Sequence, residues 1–105
     1  MKGVARVWRG YTRPENAEAF ERFLKDDVFP DFERNLQGYQ GGQLLKRNVG
    51  NEVEFMTVMW FDSLDFIKLF AGVDYETAHI DPKVKNLLVR YDAKSLHGDV
   101  VYSSI

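Results

Sequence analysis

The sequence predicts an α+β domain, an antiparallel sheet carrying its helices on one face, and three observations lead there. Segments of period-two alternation, rich in β-branched and aromatic residues, are interleaved with segments whose apolar residues recur every three or four positions. The pair Gly50-Asn51, tolerant of positive φ, joins two of the extended segments directly. The 105 residues, 45% hydrophobic and 14% aromatic, suit a single domain over residues 1–105 with enough apolar material for one core.

Val4 to Tyr11 reads as the first strand, with Arg6, Trp8 and Gly10 on one side and Ala5, Val7, Arg9 and Tyr11 on the other. Thr12-Arg13-Pro14-Glu15 has capping-box spacing, with proline in the first turn where its missing N–H costs nothing. In the helix that follows, Ala17, Phe20, Phe23 and Leu24 share a face, while Glu18 with Arg22 and Glu21 with Lys25 pair on the wet side. Pro30 disfavours a regular helix through Val28 and Phe29, which predicts a separate short helical turn from Pro30 to Leu36, closing near Gly38. Gln43 to Val49 and Glu52 to Phe61 form a hairpin about Gly50-Asn51. Ser63 is placed to cap a helix bearing Leu64, Phe66, Ile67 and Phe70 that ends at Gly72. A loop with Tyr75 and His79 follows, and Asp81-Pro82 opens a last helix on which Val84, Leu87, Leu88 and Tyr91 match the i, i+3, i+4, i+7 template. Ser95 to Tyr102 is the fourth strand. This order is that of a split βαβ, ferredoxin-like sheet.

The run Phe55-Met56-Thr57-Val58-Met59-Trp60-Phe61 is apolar on both alternating faces, whereas a sheet with one wet face shows polar residues at every second place. The helices cover one face, and a second copy of the chain is the expected cover for the other, giving a homodimer with sheets face to face.

Several function classes are excluded by composition. Fourteen basic residues against 16 acidic, a net charge of -2 and no basic stripe argue against nucleic acid. The absence of cysteine removes disulfides, thiolate metal sites and cysteine nucleophiles, and with no apolar run of membrane-spanning length a soluble, cytoplasmic protein without membrane partners is expected. His79 and His97 lie in no metal-ligand spacing, and neither a phosphate-binding glycine loop nor a GxSxG elbow occurs, so neither metal nor nucleotide cofactor is expected.

A few polar groups set among aromatics remain. His79 is suited to act as a base toward an acidic phenol or enol, or as a loop hydrogen-bonder. Arg9, on a strand expected to be covered on both faces, needs a carboxylate partner or faces a cavity where it holds an anionic oxygen. Trp60, Tyr75 and Phe70 are candidate substrate walls, with core or interface packing as their structural alternative; His97 reads as a half-buried cross-strand neighbour, and with Arg6 is the replacement for the proposed pair.

The passages VARVWRGYTRPENAEAFERFL, GYQGGQLLKRN, EVEFMTVMWFDSLDFIKLFAG and YDAKSLHGDVV together resemble the antibiotic biosynthesis monooxygenase family, whose ferredoxin-like subunits pair into a dimeric α+β barrel. The resemblance spans nearly the whole chain and implies that fold and a homodimer. Similarity to haem-degrading members would require an asparagine on the first strand, a tryptophan on the second long helix and a histidine in the next loop. Val7, Leu69 and His79 stand there, so only the histidine is kept. Members that oxygenate aromatics without metal, flavin or haem imply a base, an anion-stabilising donor and a dry pocket. Here His79, Arg9 and the Trp60, Tyr75, Phe70 cluster are the candidates for these parts, without a family motif matched at them, for a small electron-rich aromatic substrate and molecular oxygen. A non-catalytic small-molecule-binding or stress-response barrel, and a cofactor-free isomerase or decarboxylase, are the alternatives.

Overall fold

β1 (Val4–Thr12) pairs antiparallel along its whole length with β3 (Glu52–Phe61), from Val4 opposite Phe61 to Thr12 opposite Val53. β3 pairs on its other side with β2 (Tyr39–Val49) through the expected hairpin, where Gly50 takes the left-handed φ of 61°. Two short strands share the remaining edge of β1: β4 (Leu88–Tyr91) lies against Gly10 to Thr12 and β5 (Leu96–Asp99) against Val4 to Val7. The result is a five-stranded sheet of order β2-β3-β1-β4 with β5 beside β1 in this computed structural model, which describes residues 3–105. α1 (Pro14–Phe23), α2 (Phe29–Asn35) and α3 (Leu64–Ala71) complete the expected ferredoxin-like α+β fold.

The core lies between the sheet and these helices. Phe55, Phe61 and Ile67 are wholly buried, and Phe20 of α1 meets Phe55 edge-on with ring centroids 5.2 Å apart. Along β3 the residues Val53, Phe55, Thr57, Met59 and Phe61 are buried on the helix side, while Met56, Val58 and Trp60 on the other side are only half-buried. No helix among the described residues is long and apolar enough to cross a membrane.

Five local expectations are corrected. The capping box does not form: β1 runs on through Thr12, and the cap position falls to Arg13, which makes no side-chain bond. Pairing with Val53 and Leu88 fixes Thr12 in the strand, and its Oγ1 is buried without a partner. Pro30 does not break the helix. Leu24–Val28 widens into a π turn, in which the Phe29 N–H reaches back to the Leu24 carbonyl, and the chain continues into α2 despite the N–H that proline lacks. The helix expected after Asp81-Pro82 is replaced by a turn, a short 3-10 segment at Lys85–Leu87 and the strand β4. Asp81 Oδ1 does accept from the Lys83 N–H, so the start signal operates, but the open edge of β1 takes Leu88–Tyr91 before a helix is built. The last strand is shorter than expected, Leu96–Asp99, while β2 starts earlier, at Tyr39.

Ser63 stands at the cap of α3 without a side-chain bond, and Gly72, with φ of 88°, ends that helix as expected.

If Thr12 were a helix cap, Thr12→Val would cost about 1 kcal/mol. Because its hydroxyl is instead a buried orphan, the substitution is expected to leave stability unchanged or raise it by up to about 1 kcal/mol. Urea unfolding, read as a midpoint shift at constant slope, checks this.

Candidate functional site

A cavity of about 860 Å³ opens between the helix face of the sheet and the shell made by α1, the π turn, α2 and the chain following α3. Trp8, Phe20, Phe32 and Phe70 wall it, and Arg6, Thr57 and Ser95, all buried, form its polar floor. His79 and the carboxylates of Asp26, Asp27 and Asp31 are exposed at its rim. The walls are also packed to one another: Phe70 meets Phe32 edge-on at 5.0 Å and lies parallel to Phe61 at 6.0 Å.

Strand alternation decides which predicted residues share this cavity. Arg6 and Trp8 project to the helix side, whereas Arg9 projects to the opposite face with Ala5, Val7 and Tyr11. Arg9 has the carboxylate partner that was its structural alternative: its Nε lies 3.0 Å from Asp92 Oδ2. His79 and Arg9 are therefore on different sides of the sheet. Trp60, opposite Ala5, is also on the far face. Phe70 lines the cavity, and Tyr75 stands behind it, its ring edge-on to His97 at 5.1 Å. Of the haem-type positions, Val7 is on the far face and Leu69 is 69% exposed.

The group that sequence reasoning placed second is Arg6. The register sets His97 of β5 directly across from it. Arg6 Nη1 donates to the Tyr75 carbonyl at 2.6 Å and to His97 Nε2 at 2.7 Å, and the guanidinium stands 5.6 Å from the Phe70 centroid. Since a guanidinium only donates, Nε2 accepts and the ring proton sits on Nδ1, a buried atom without a partner. Only 9% of Arg6 is exposed, and no carboxylate among the described residues pairs with it. The sequence did carry part of the signal: alternation puts Arg6 on the same side of the first strand as Trp8 and opposite to Arg9.

The far face is electrically balanced instead. Glu54, nearly buried, accepts from Arg47 at 2.7 Å and from the Tyr11 hydroxyl at 2.7 Å, and these bonds hold its carboxyl below the usual value. The Arg90 guanidinium lies 3.7 Å from the Tyr11 ring centroid and pairs with Glu52 at 3.0 Å.

Burial, and then the charge of Arg6, holds the His97 imidazole below its ordinary value of 6.5, with Glu76 acting weakly the other way. The folded state thus favours the neutral ring, and on acidification the unfolded chain takes up the proton first. This contribution to stability is whole above pH 6.5 and is lost as the pH falls through 6.5 toward the lower folded value. The carboxylates of Glu54 and Glu21, also held low, lose their share only as the pH falls below 4.5, so the loss that begins at 6.5 begins with His97. Urea midpoints are expected to fall between about pH 8 and about pH 5, and to fall less in His97→Gln, which keeps an acceptor for Arg6 without a titrating ring.

No family model matches the chain, and no curated protein does. Solved structures do. The heme-degrader MhuD from Mycobacterium tuberculosis, solved with two hemes in its active site, superposes with a TM-score of 0.58 at 21% identity, over 95% of this chain and 97% of that one. A protein from Bacillus cereus provisionally assigned as an antibiotic biosynthesis monooxygenase gives 0.63 at 12% identity, over 97% and 94%. A dimeric ferredoxin-like protein from an uncultured marine organism gives 0.62 at 18% identity, over 97% and 96%. At these identities the likeness is one of fold, and it is end to end: the chain has the ferredoxin-like α+β fold seen in antibiotic biosynthesis monooxygenase-type proteins.

Proposed function

We propose that the chain is a cofactor-independent monooxygenase for a small electron-rich aromatic, working as a homodimer. The observation that carries this reading is the aromatic-walled cavity between sheet and helices, with one cation and no counter-charge on its floor. Oxygenation without a cofactor needs a substrate that gives up electrons once deprotonated, a base to deprotonate it and a water-poor enclosure. Phe70 and Trp8 offer faces for the ring, His79 at the rim is the cavity's histidine and takes the phenolic or enolic proton, and Arg6 steadies the resulting oxyanion. The substrate anion adds oxygen at an activated ring carbon that carries two hydrogens in the keto form; as its second C–H and the O–O bond break, one oxygen stays as a ring carbonyl and the other leaves as water with those two hydrogens, the substrate supplying all four electrons. The anion-stabilising role expected of Arg9 passes to Arg6 because Arg9 is on the other side of the sheet.

Haem, the ligand of one structural relative, suits the cavity's residues poorly. His79 is at the rim, but Leu69 is on the solvent side of α3 and Val7 on the far face of the sheet.

The homodimer reading rests on Met56, Val58 and Trp60, a half-buried apolar row beside the balanced charges of the far face, and a dimeric structural relative supports it. Val58→Glu is expected to convert a two-chain particle into single chains in sedimentation velocity, leaving the helix-side core intact by circular dichroism.

The activity is tested by oxygen uptake with an anthrone-type substrate and metal-free protein. Uptake above the no-protein control is expected, with His79→Ala lowering it about a hundredfold or more. Uptake at the control rate removes this substrate class and favours a binding or isomerising barrel.

A further inference from the structure

We infer that Arg6 is the anchor of an anion subsite, so that the cavity selects planar ligands carrying a carboxylate or an ionised phenol or enol. The inference rests on the cavity being the substrate site and adds the class of molecule it takes. An arginine that is 9% exposed is ordinarily paired, yet Arg6 spends its visible bonds on two neutral acceptors, the Tyr75 carbonyl and His97 Nε2, both through Nη1. Among the described residues, its Nε and Nη2 donors engage no acceptor within hydrogen-bond distance. Guanidinium presents these donors as a planar fork whose natural complement is a pair of anionic oxygens.

The surroundings favour that complement. Phe70 lies beside the guanidinium, and Thr57 and Ser95 bring buried hydroxyls to the same floor. His97 fixes the orientation of the fork from the opposite strand without cancelling its charge, because an imidazole held neutral accepts a hydrogen bond and adds no negative charge. The cavity's own carboxylates, Asp26, Asp27, Asp31 and Asp81, are exposed at the rim near Arg34 and Lys83, where water and salt screen them; none reaches Arg6.

Two probe pairs test the subsite without requiring turnover. Naphthoate and its neutral isostere naphthamide are compared by calorimetry; the acid is expected to bind about tenfold tighter or better, the effect of one charged hydrogen bond. A nitrophenol, coloured only when ionised, is titrated with and without protein; its apparent pKa is expected to drop when bound. The first pair reports a carboxylate, the second a phenolate. Arg6→Met should bring both selectivities close to none while the melting temperature stays near that of the parent, and Arg6→Lys, which keeps the charge but not the fork, should fall between. Equal affinity for acid and amide with no nitrophenol shift, binding of neither probe, or selectivity that survives Arg6→Met overturns the inference. The comparison on the unaltered protein stands even if a variant folds poorly. Anion selectivity without oxygen uptake would keep the subsite and remove the oxygenase reading.

Discussion

The architecture depends on how one edge of β1 is closed. Two short strands share that edge, and the break between them falls at Trp8 and Arg9, where the pairing of β5 has ended and that of β4 has not begun. Buried backbone groups left there would each cost on the order of 1–3 kcal/mol. Asp92 closes the gap. Its N–H donates to the Arg9 carbonyl at 2.9 Å, its carbonyl accepts from the Trp8 indole at 2.9 Å, and its carboxylate takes the Arg9 N–H at 3.2 Å and the Arg9 guanidinium at 3.0 Å. With the break bridged, the chain turns out after β4 and re-enters as β5, and that re-entry sets His97 across from Arg6. Arg9 thus stands in the framework that positions the cavity floor, outside the cavity itself.

The two faces of the sheet handle charge by different rules. On the far face, among the described residues, the buried Glu54 has Arg47 close by, and the half-buried Glu52 and Asp92 have Arg90 and Arg9. Such a face can be covered by another surface at modest desolvation cost, because its charges are already satisfied. On the helix face the charge of Arg6 is supported only by dipoles and an aromatic ring. Burial pulls its pKa down, but guanidinium stays protonated at any physiological pH, so the cost appears as lost stability and not as a lost charge. Local rules broken in a cavity in this way mark sites where stability is traded for function.

What was legible in the sequence follows from how local each determinant is. The β2–β3 hairpin, the amphipathic face of α1 and the Gly72 stop of α3 depend on neighbours within a few residues, and each is where the pattern puts it. β4 was not legible, because Val84, Leu87, Leu88 and Tyr91 satisfy a helical template equally well, and only the vacant edge of β1, more than seventy residues away in the chain, selects the extended form. Thr12 failed as a cap for a related reason: the spacing was right, but cross-strand pairing at Val53 and Leu88 holds the residue in β1. At the site, alternation along β1 had already put Arg6 with Trp8 and Arg9 with Tyr11; what the sequence lacked was which face the helices would cover. That choice is tertiary, and it decides which of the two arginines lines the cavity.

Arg6 and His97 also explain each other. A carboxylate in place of His97 would neutralise the guanidinium; an apolar residue would leave Nη1 short of an acceptor and the fork free to turn. A neutral imidazole orients without neutralising, and it stays neutral because burial and the adjacent positive charge both oppose its protonation. The arrangement is stable only while the ring is uncharged, since a proton on Nε2 would set two cations against each other across a strand pair in a region of low dielectric. A proton on that ring therefore acts on the cavity floor itself, and the two faces differ in how a buried charge is met: Glu54 on the far face has Arg47 and the Tyr11 hydroxyl, whereas Arg6 on the helix side has two neutral acceptors and no carboxylate among the described residues.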